Sequence, residues 1–243
     1  MSSAIHKLSI IIPAYNEETT IVKIRQKVCE INLPDAIQKE IIVVNDASTD
    51  DTELLVKKFS ETNHGHCITL HAHKKNLGKG GAIHSALPKC TGDYVLIQDA
   101  DLEYDPEDYN KMLEPVLKGN ADAVLGSRFK GDTPHRVLYF WHYVGNKLLT
   151  LFTNLVTDLN LSDMETGYKL VNLQFIRKLN LKEKKFGFEP EFMIKLARIP
   201  NVRIYEVGIS YYGRTYAEGK KIGWKDGISA IACIVKYGLF KMK

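Results

Sequence analysis

Asp99, Asp101 and Glu103 stand at alternate positions in "VLIQDADLEYDP", Val95 to Pro106, directly behind an apolar run. Carboxylates so spaced repel one another unless a positive charge lies among them. If the chain stays extended beyond the run, side chains at i, i+2 and i+4 point to one side and three oxygen-rich groups converge. Carboxylates favour hard ions, and Mg²⁺ takes one or two of them with phosphate oxygens and water in its remaining places. The trio therefore predicts a site for Mg²⁺ or Mn²⁺. The rest of the stretch has a local purpose: Asp105 reads as an N-cap, Pro106 as the first helical residue, and Glu107 and Asp108 favour the positive helix end. A calcium loop of the EF-hand type is excluded, because Tyr104 stands where its turn needs Gly and Asn110 where its last ligand is Glu.

The element that presents these carboxylates is "YVLI" from Tyr94, a buried strand ending near Gln98. Around it, β-type runs alternate with helical patterns. They are "LSIII" at Leu8, a helix from about Glu17, "EIIVV" at Glu40, a helix from about Asp51, "CITLH" at Cys67, a helix after Gly80, a helix from Pro106 and "ADAVLG" at Ala121. Such alternation implies βαβ units and a largely parallel sheet, with ligands gathering at the carboxyl ends of its strands. Polar motifs stand at those ends: "PAYNEE", "NDASTDD", "DADLE" and "GSRFKG".

The common phosphate fingerprints are missing. "NLGKGGA", Asn76 to Ala82, is not G-x-G-x-x-G, and Gly80 follows Lys79 where a Walker loop has Ser or Thr. Its glycines still allow a ligand to approach the backbone. Asp46 is not needed for capping, since Ser48 and Thr49 can do that, so it is a candidate for binding.

A chain of 243 residues with 44% hydrophobic content supports a sizeable core. Its 33 basic and 29 acidic residues leave a formal charge of +4, too little to argue for nucleic acid. Many basic residues fall after residue 182, in "KEKK" at Lys182 to Lys185 and at Arg214, Lys220, Lys221, Lys225, Lys236, Lys241 and Lys243, where they can face an anionic surface. Cys29, Cys67, Cys90 and Cys233 have no C-x-x-C spacing and read as reduced core thiols in a cytosolic protein. No signal peptide and no membrane-spanning run is expected. His64 with His66 and His71 with His73 form His-x-His pairs, but no further ligand spacing argues for zinc.

Taken in order, "IIPAYNEE", "IIVVNDASTDDT", "NLGKGGA", "GDYVLIQDADLEYDP", "GSRF", "DMETGYKL", "GFEPEF" and "IYEVGISYYGRT" make almost the whole chain resemble the family 2 glycosyltransferases of the GT-A fold. Within that family the chain is similar to the polyprenyl-phosphate glycosyltransferases, such as those forming dolichyl-phosphate mannose and dolichyl-phosphate glucose. The resemblance implies one GT-A (Rossmann-like) α/β domain over residues 1–243, with a mixed, mainly parallel sheet flanked by helices. It implies that Pro13, Tyr15 and Glu17 line a nucleotide pocket, that Asp46 accepts a hydrogen bond from the base, and that Lys79 lies near the nucleotide. Asp99 would sit by ribose and metal, with Asp101 and Glu103 holding the ion on the diphosphate. Arg128 would bind an acceptor phosphate bidentately, assisted by Arg136 and Arg214. "NDAS" stands where the family often has Asp-Asp-Gly-Ser, so Ala47 occupies a turn position usually given to glycine.

The implied reaction is inverting transfer of a sugar from a UDP- or GDP-linked donor to a polyprenyl or dolichyl phosphate at the cytosolic face of a membrane. A phosphate acceptor is already ionised near neutral pH, which weakens the case for Glu189 or Glu191 as a base. Transfer to a saccharide or protein hydroxyl would instead need one. A nucleotide-sugar-binding protein without turnover is the alternative of a different class. Two amphipathic segments, near 137–157 and 226–243, bear on the acceptor. In the first, Leu138, Trp141, Val144, Leu148, Leu151 and Leu155 fall at helical spacing; in the second, Ile228, Ile231, Val235 and Leu239 do. Core packing is the default reading of such stripes, and peripheral contact with a membrane is its rival. Oligomeric state is not legible.

Overall fold

The computed structural model describes residues 5–62, 67–131, 136–137, 139–215 and 224–239. His64, His66, Leu138, Lys220, Lys221, Lys241 and Lys243 lie outside them, as do the side chains of Cys67 and Lys225. The first half alternates strand and helix: β1 Lys7–Ala14, α1 Ile21–Glu30, β2 Gln38–Asn45, α2 Thr52–Thr62, β3 Cys67–Ala72, α3 Lys79–Ala86, β4 Tyr94–Ile97, α4 Tyr109–Leu117 and β5 Ala123–Ser127. Then follow α5 Phe140–Thr157, β6 Lys169–Asn172, α6 Leu173–Lys178, α7 Phe188–Ala197, β7 Ile204–Gly208 and α8 Trp224–Leu239.

The strands form a seven-stranded sheet in the order β3-β2-β1-β4-β6-β5-β7. β3, β2, β1 and β4 run parallel, β6 runs antiparallel to both β4 and β5, and β7 pairs parallel with β5. This is the mixed, mainly parallel sheet expected. Ile10, Ile11 and Ile12 are all 0% exposed because apolar layers cover both faces, which is why these strands read as unbroken apolar runs. Cys29, Cys90 and Cys233 are buried free thiols.

Local chemistry sets the element ends near the site. Asp105 caps the 3₁₀ turn Pro106–Asp108 by accepting from the Glu107 amide, and α4 follows. Glu17 falls before its helix: its carbonyl accepts from the Thr20 and Ile21 amides, and α1 begins only at Ile21.

The amphipathic helices reverse the default reading. On α5 the inner face is Thr150 and Thr153, buried, with Leu149, Phe152 and Val156 packed on the core, whereas Trp141, Leu148, Leu151 and Leu155 face outward. On α8, Ala230, Cys233, Ile234 and Tyr237 are buried, while Ile228, Ile231, Val235 and Leu239 are exposed. The two helices pack on each other, with Gly238 of α8 lying against Val156. Small and polar residues share the inner faces with these apolar ones, so the spacing of large apolar residues alone misassigns which side is core.

Candidate active site

Gln98, directly after β4, is wholly buried, and its Oε1 accepts hydrogen bonds from the hydroxyls of Tyr109 (2.7 Å) and Tyr168 (2.6 Å). Its Nε2 donates to the Asp99 carbonyl, fixing the turn that follows. That turn is not extended. Leu102 takes φ +62°, and the Glu103 amide donates to Asp101 Oδ1 at 3.1 Å, so the three carboxylates do not align on one side as the i, i+2, i+4 argument required. Among the described residues no three His, Cys, Asp or Glu side chains stand in a ligating group.

The carboxylates meet protein cations instead. Lys79, the first residue of α3, brings Nζ to 2.8 Å from Asp99 Oδ1 and 3.4 Å from Glu189 Oε1. Burial lowers the Lys79 pKa, and Asp99 and then Glu189 more than reverse this, so the ammonium stays charged. Arg214 reaches Asp101 at 3.0 Å and both Glu17 and Glu103 at 3.4 Å. Glu103 also accepts from the Tyr211 hydroxyl at 2.7 Å and the Arg214 amide at 2.9 Å. Glu103 thus seats the loop bearing Arg214.

Asp99 and Asp101 do fit a hard divalent cation. Burial, with Asp99 and Glu103 adding like charge, pushes the Asp101 carboxyl up to about 7, so added positive charge would be stabilising there. Two carboxylates are also the complement that Mg²⁺ uses when phosphate and water complete its shell. Gly167 leaves room for this arrangement: a Cβ there would stand 2.1 Å from Asp99 Oδ2 and 2.8 Å from the Tyr104 ring.

Asp46 is 3% exposed, and its carboxylate faces the protein. Oδ1 accepts from the Leu77 amide at 2.9 Å and lies 2.7 Å from His73 Nδ1, and Oδ2 accepts from the Gly78 amide at 2.7 Å. Asp46 therefore shapes the glycine loop ahead of Lys79. The other ring nitrogen of His73 lies 2.8 Å from Ser85 Oγ, so neither nitrogen of His73 is spare for zinc. Ala47 takes φ +59°, the left-handed conformation in which a glycine would be unstrained. Pro13 lies in β1, and Tyr15 just beyond it is 38% exposed.

Arg128 leaves the end of β5, but its fork is already filled. Nε and Nη2 each donate to Asp163 at 2.7 Å, and Asp163 is 0% exposed. The free bidentate grip expected of Arg128 is replaced by a buried ion pair under the Tyr211 ring. Arg136 donates from Nη1 to the Gly213 carbonyl and so braces the loop that carries Arg214. Glu191 accepts from the amides of Lys182 and Glu183 and from Lys195, a structural duty, whereas Glu189 joins the Lys79 side of the site. Asp163, Glu165 and Lys169 escaped sequence reasoning. Their only signal was an acid-rich "DMETGYK" whose residues had no assigned task.

A family model described as glycosyl transferase family 2 matches residues 9–179. The chain is 30% identical over 222 residues to the low-salt glycan biosynthesis hexosyltransferase of Haloferax volcanii, covering 90% of this chain but 51% of that protein, so it spans about half that relative's length. It is 28% identical over 215 residues to the UDP-N-acetylglucosamine–dolichyl-phosphate N-acetylglucosaminyltransferase of Methanococcus voltae, covering 82% of this chain and 83% of that protein. To the dolichyl-phosphate beta-glucosyltransferase of Dictyostelium discoideum it is 26% identical over 236 residues, covering 88% and 68% respectively. In fold it is similar to glucosyl-3-phosphoglycerate synthase from Mycobacterium tuberculosis, crystallised with Mn²⁺, UDP and glucosyl-3-phosphoglycerate: the TM-score is 0.71 at 19% identity, covering 98% of this chain and 82% of that one. With a GT-A sheet carrying Asp99 and Asp101 at the end of β4, and a family match over most of its length, the chain belongs to the family 2 glycosyltransferases.

Proposed function

We propose that this protein transfers a sugar, with inversion, from a nucleoside-diphosphate sugar to a polyprenyl or dolichyl phosphate at the cytosolic face of a membrane. The observation that carries the reading is the pair of carboxylates on the turn after β4, Asp99 and Asp101, faced by Lys79 and Arg214. A diphosphate brings the negative charge those two cations can share. Asp99 and Asp101 would hold Mg²⁺ or Mn²⁺, which supplies charge neutralisation for the departing diphosphate. Tyr15, exposed beyond β1, offers a face for the base, with Pro13 and Glu17 beside it.

In the step itself, an oxygen of the acceptor phosphate forms a bond to the anomeric carbon. The bond from that carbon to the diphosphate oxygen breaks, and its electron pair leaves with the nucleoside diphosphate. The acceptor arrives ionised, so no proton has to be removed. Lys79 keeps its charge and stands by the leaving group. Arg214, paired here with Asp101, Glu17 and Glu103, would offer its guanidinium to the diphosphate. Arg128 and Arg136 act by holding the surrounding turns.

The lipid acceptor is supported by the outward apolar faces of α5 and α8 and by the activities of the two dolichyl-phosphate relatives. Among the described residues no helix is long and apolar enough to cross a membrane, and the outward apolar faces of α5 and α8 are the surfaces this reading places against one. The test is nucleoside diphosphate release from UDP- and GDP-sugars with Mn²⁺, with and without polyprenyl phosphate. Release that depends on the lipid phosphate is expected. Release that needs a saccharide hydroxyl, or none with any acceptor, overturns the reading.

A further inference from the structure

The segment Asp163 to Lys169 runs between the Arg128–Asp163 pair and the Lys79–Glu189 pair and then becomes β6. It holds more hydrogen-bonding capacity than the protein uses. Glu165 Oε1 and Thr166 Oγ1 are both buried, and no donor or acceptor among the described residues reaches either. Lys169, 1% exposed, has three protons on Nζ, and its hydrogen-bond partner is the Thr166 carbonyl. Buried polar groups are normally paired, because leaving one unmet costs more than making the bond returns. An acceptor, a hydroxyl and an under-used ammonium on one short segment therefore point to a ligand that both donates and accepts.

Their position says which part of a ligand. Burial first, and then the like charge of Glu189, push the Glu165 carboxyl up to about 8, and Lys169, Arg128 and Asp163 also act on it. Glu189 adjoins Lys79, which holds Asp99, and Gly167 of the same segment lies directly against Asp99. A group attached to a diphosphate at Asp99 would thus enter beside Glu165. The like charge of Glu189, which helps hold the Glu165 carboxyl neutral, also disfavours an acidic sugar there and favours a neutral polyol.

We propose that Glu165 is a specificity-determining residue that accepts a hydrogen bond from a hydroxyl of the transferred neutral hexose, with Lys169 and Thr166 behind it. This rests on the donor reading above. Sites built to hydrogen-bond a substrate hydroxyl discriminate strongly against analogues lacking it, because the buried group is then left unmet.

The test compares Glu165→Ala and Glu165→Gln with the unaltered protein, using Mn²⁺, the nucleoside diphosphate, the preferred nucleotide hexose and its monodeoxy analogues. In the unaltered protein one deoxy analogue should bind at least tenfold more weakly than the parent sugar. In Glu165→Ala the parent and that analogue should bind alike, while nucleoside diphosphate affinity is unchanged, the signature of a pairwise coupling. Glu165→Gln keeps an acceptor oxygen and should stay within threefold of the unaltered protein. Glu165→Ala should melt no lower, since it removes an unmet buried acceptor; a carboxylate serving only the fold would lower it. Equal loss of nucleoside diphosphate affinity, or the same deoxy penalty in both proteins, overturns the assignment alone. Failure of the unaltered protein to bind any nucleoside diphosphate with Mn²⁺ overturns the donor reading and this one with it.

Discussion

Arg128 and Asp163 form a two-point ion pair, Nε to Oδ2 and Nη2 to Oδ1 both at 2.7 Å, with the Arg128 amide also donating to Oδ2 at 3.1 Å. Asp163 accepts further from Asn146 of α5, so one carboxylate ties the end of β5 to the outer helix. A lysine at 128 keeps the charge but reaches one oxygen at a time. Arg128→Lys should therefore cost about 2 kcal/mol of stability, less than the roughly 3–5 kcal/mol of breaking a buried pair outright, and should slow transfer at least about tenfold. Urea midpoints and transfer rates measured together check this. Unchanged stability would return the arginine's fork to solvent and ligand.

The same pair sets a pH dependence. Burial alone would raise the Asp163 pKa, but Arg128 brings it below the ordinary value. A depressed carboxylate contributes stability that is present above the unfolded value near 4 and is lost as pH falls through the folded one. Asp163→Asn, less stable at neutral pH, should lose less on acidification below about pH 4 than the unaltered protein. Parallel acid-denaturation curves for the two would argue against the pair as the source.

Gly167 and Asp99 make a second relationship that the fold cannot relax cheaply. The methyl of Gly167→Ala would fall 2.1 Å from Asp99 Oδ2, so either the carboxylate leaves Lys79 or the turn shifts. Overpacking of this kind costs about 1–3 kcal/mol. Mn²⁺-dependent nucleoside diphosphate binding should weaken tenfold or more by calorimetry, with the protein still folded by circular dichroism. Full affinity in the folded variant would remove Asp99 from the ion's surroundings.

What was legible in the sequence follows interaction range. β1, β2 and β4 are buried on both faces, so their apolar runs announced them, and the cap at Asp105 needed only its near neighbours. The partners of the charged groups were not legible, because they come from far along the chain. Arg214 lies 113 residues from Asp101, and Asp163 lies 35 from Arg128. Asp46 looked free of local duty because its duty is 27 to 32 residues away, at His73, Leu77 and Gly78. The expected extended chain past β4 gave way to a single backbone choice, the left-handed Leu102, which no side-chain pattern encodes. Helical spacing found the stripes on α5 and α8 but not their direction, since Thr150, Thr153 and Ala230 share the inner faces with apolar residues such as Phe152 and Ile234.

Ala47 holds φ +59° in the turn after β2, where its own Cβ is the source of strain. The left-handed region costs an alanine about 1–2 kcal/mol, and glycine loses roughly 0.5–1 kcal/mol through the flexibility of its unfolded chain. Ala47→Gly should therefore leave stability unchanged or raise it by up to about 1 kcal/mol, and Ala47→Val should lower it. Thermal melts decide this. A clear loss in the glycine variant would mean that the Ala47 methyl makes contacts worth more than its strain.

The last prediction concerns the face formed by α5 and α8. Trp141 is 77% exposed, Leu155 71% and Leu239 69%. Side chains this exposed add little to the fold, and their replacement typically shifts stability by no more than about 0.5 kcal/mol each. If they enter a lipid surface, each full burial is worth about 1.5–3 kcal/mol, so even partial insertion of three changes partitioning more than tenfold. The triple variant Trp141→Ser, Leu155→Ser, Leu239→Ser should melt near the unaltered protein and bind nucleoside diphosphate with Mn²⁺ as well. Its affinity for sedimented anionic liposomes should fall at least about tenfold, and transfer to polyprenyl phosphate presented in them should fall in step. Added salt should weaken what binding remains to the extent that lysines contribute. Undiminished sedimentation by a folded triple variant would take the membrane away from this face, and a large drop in melting temperature would make the three residues part of the packing.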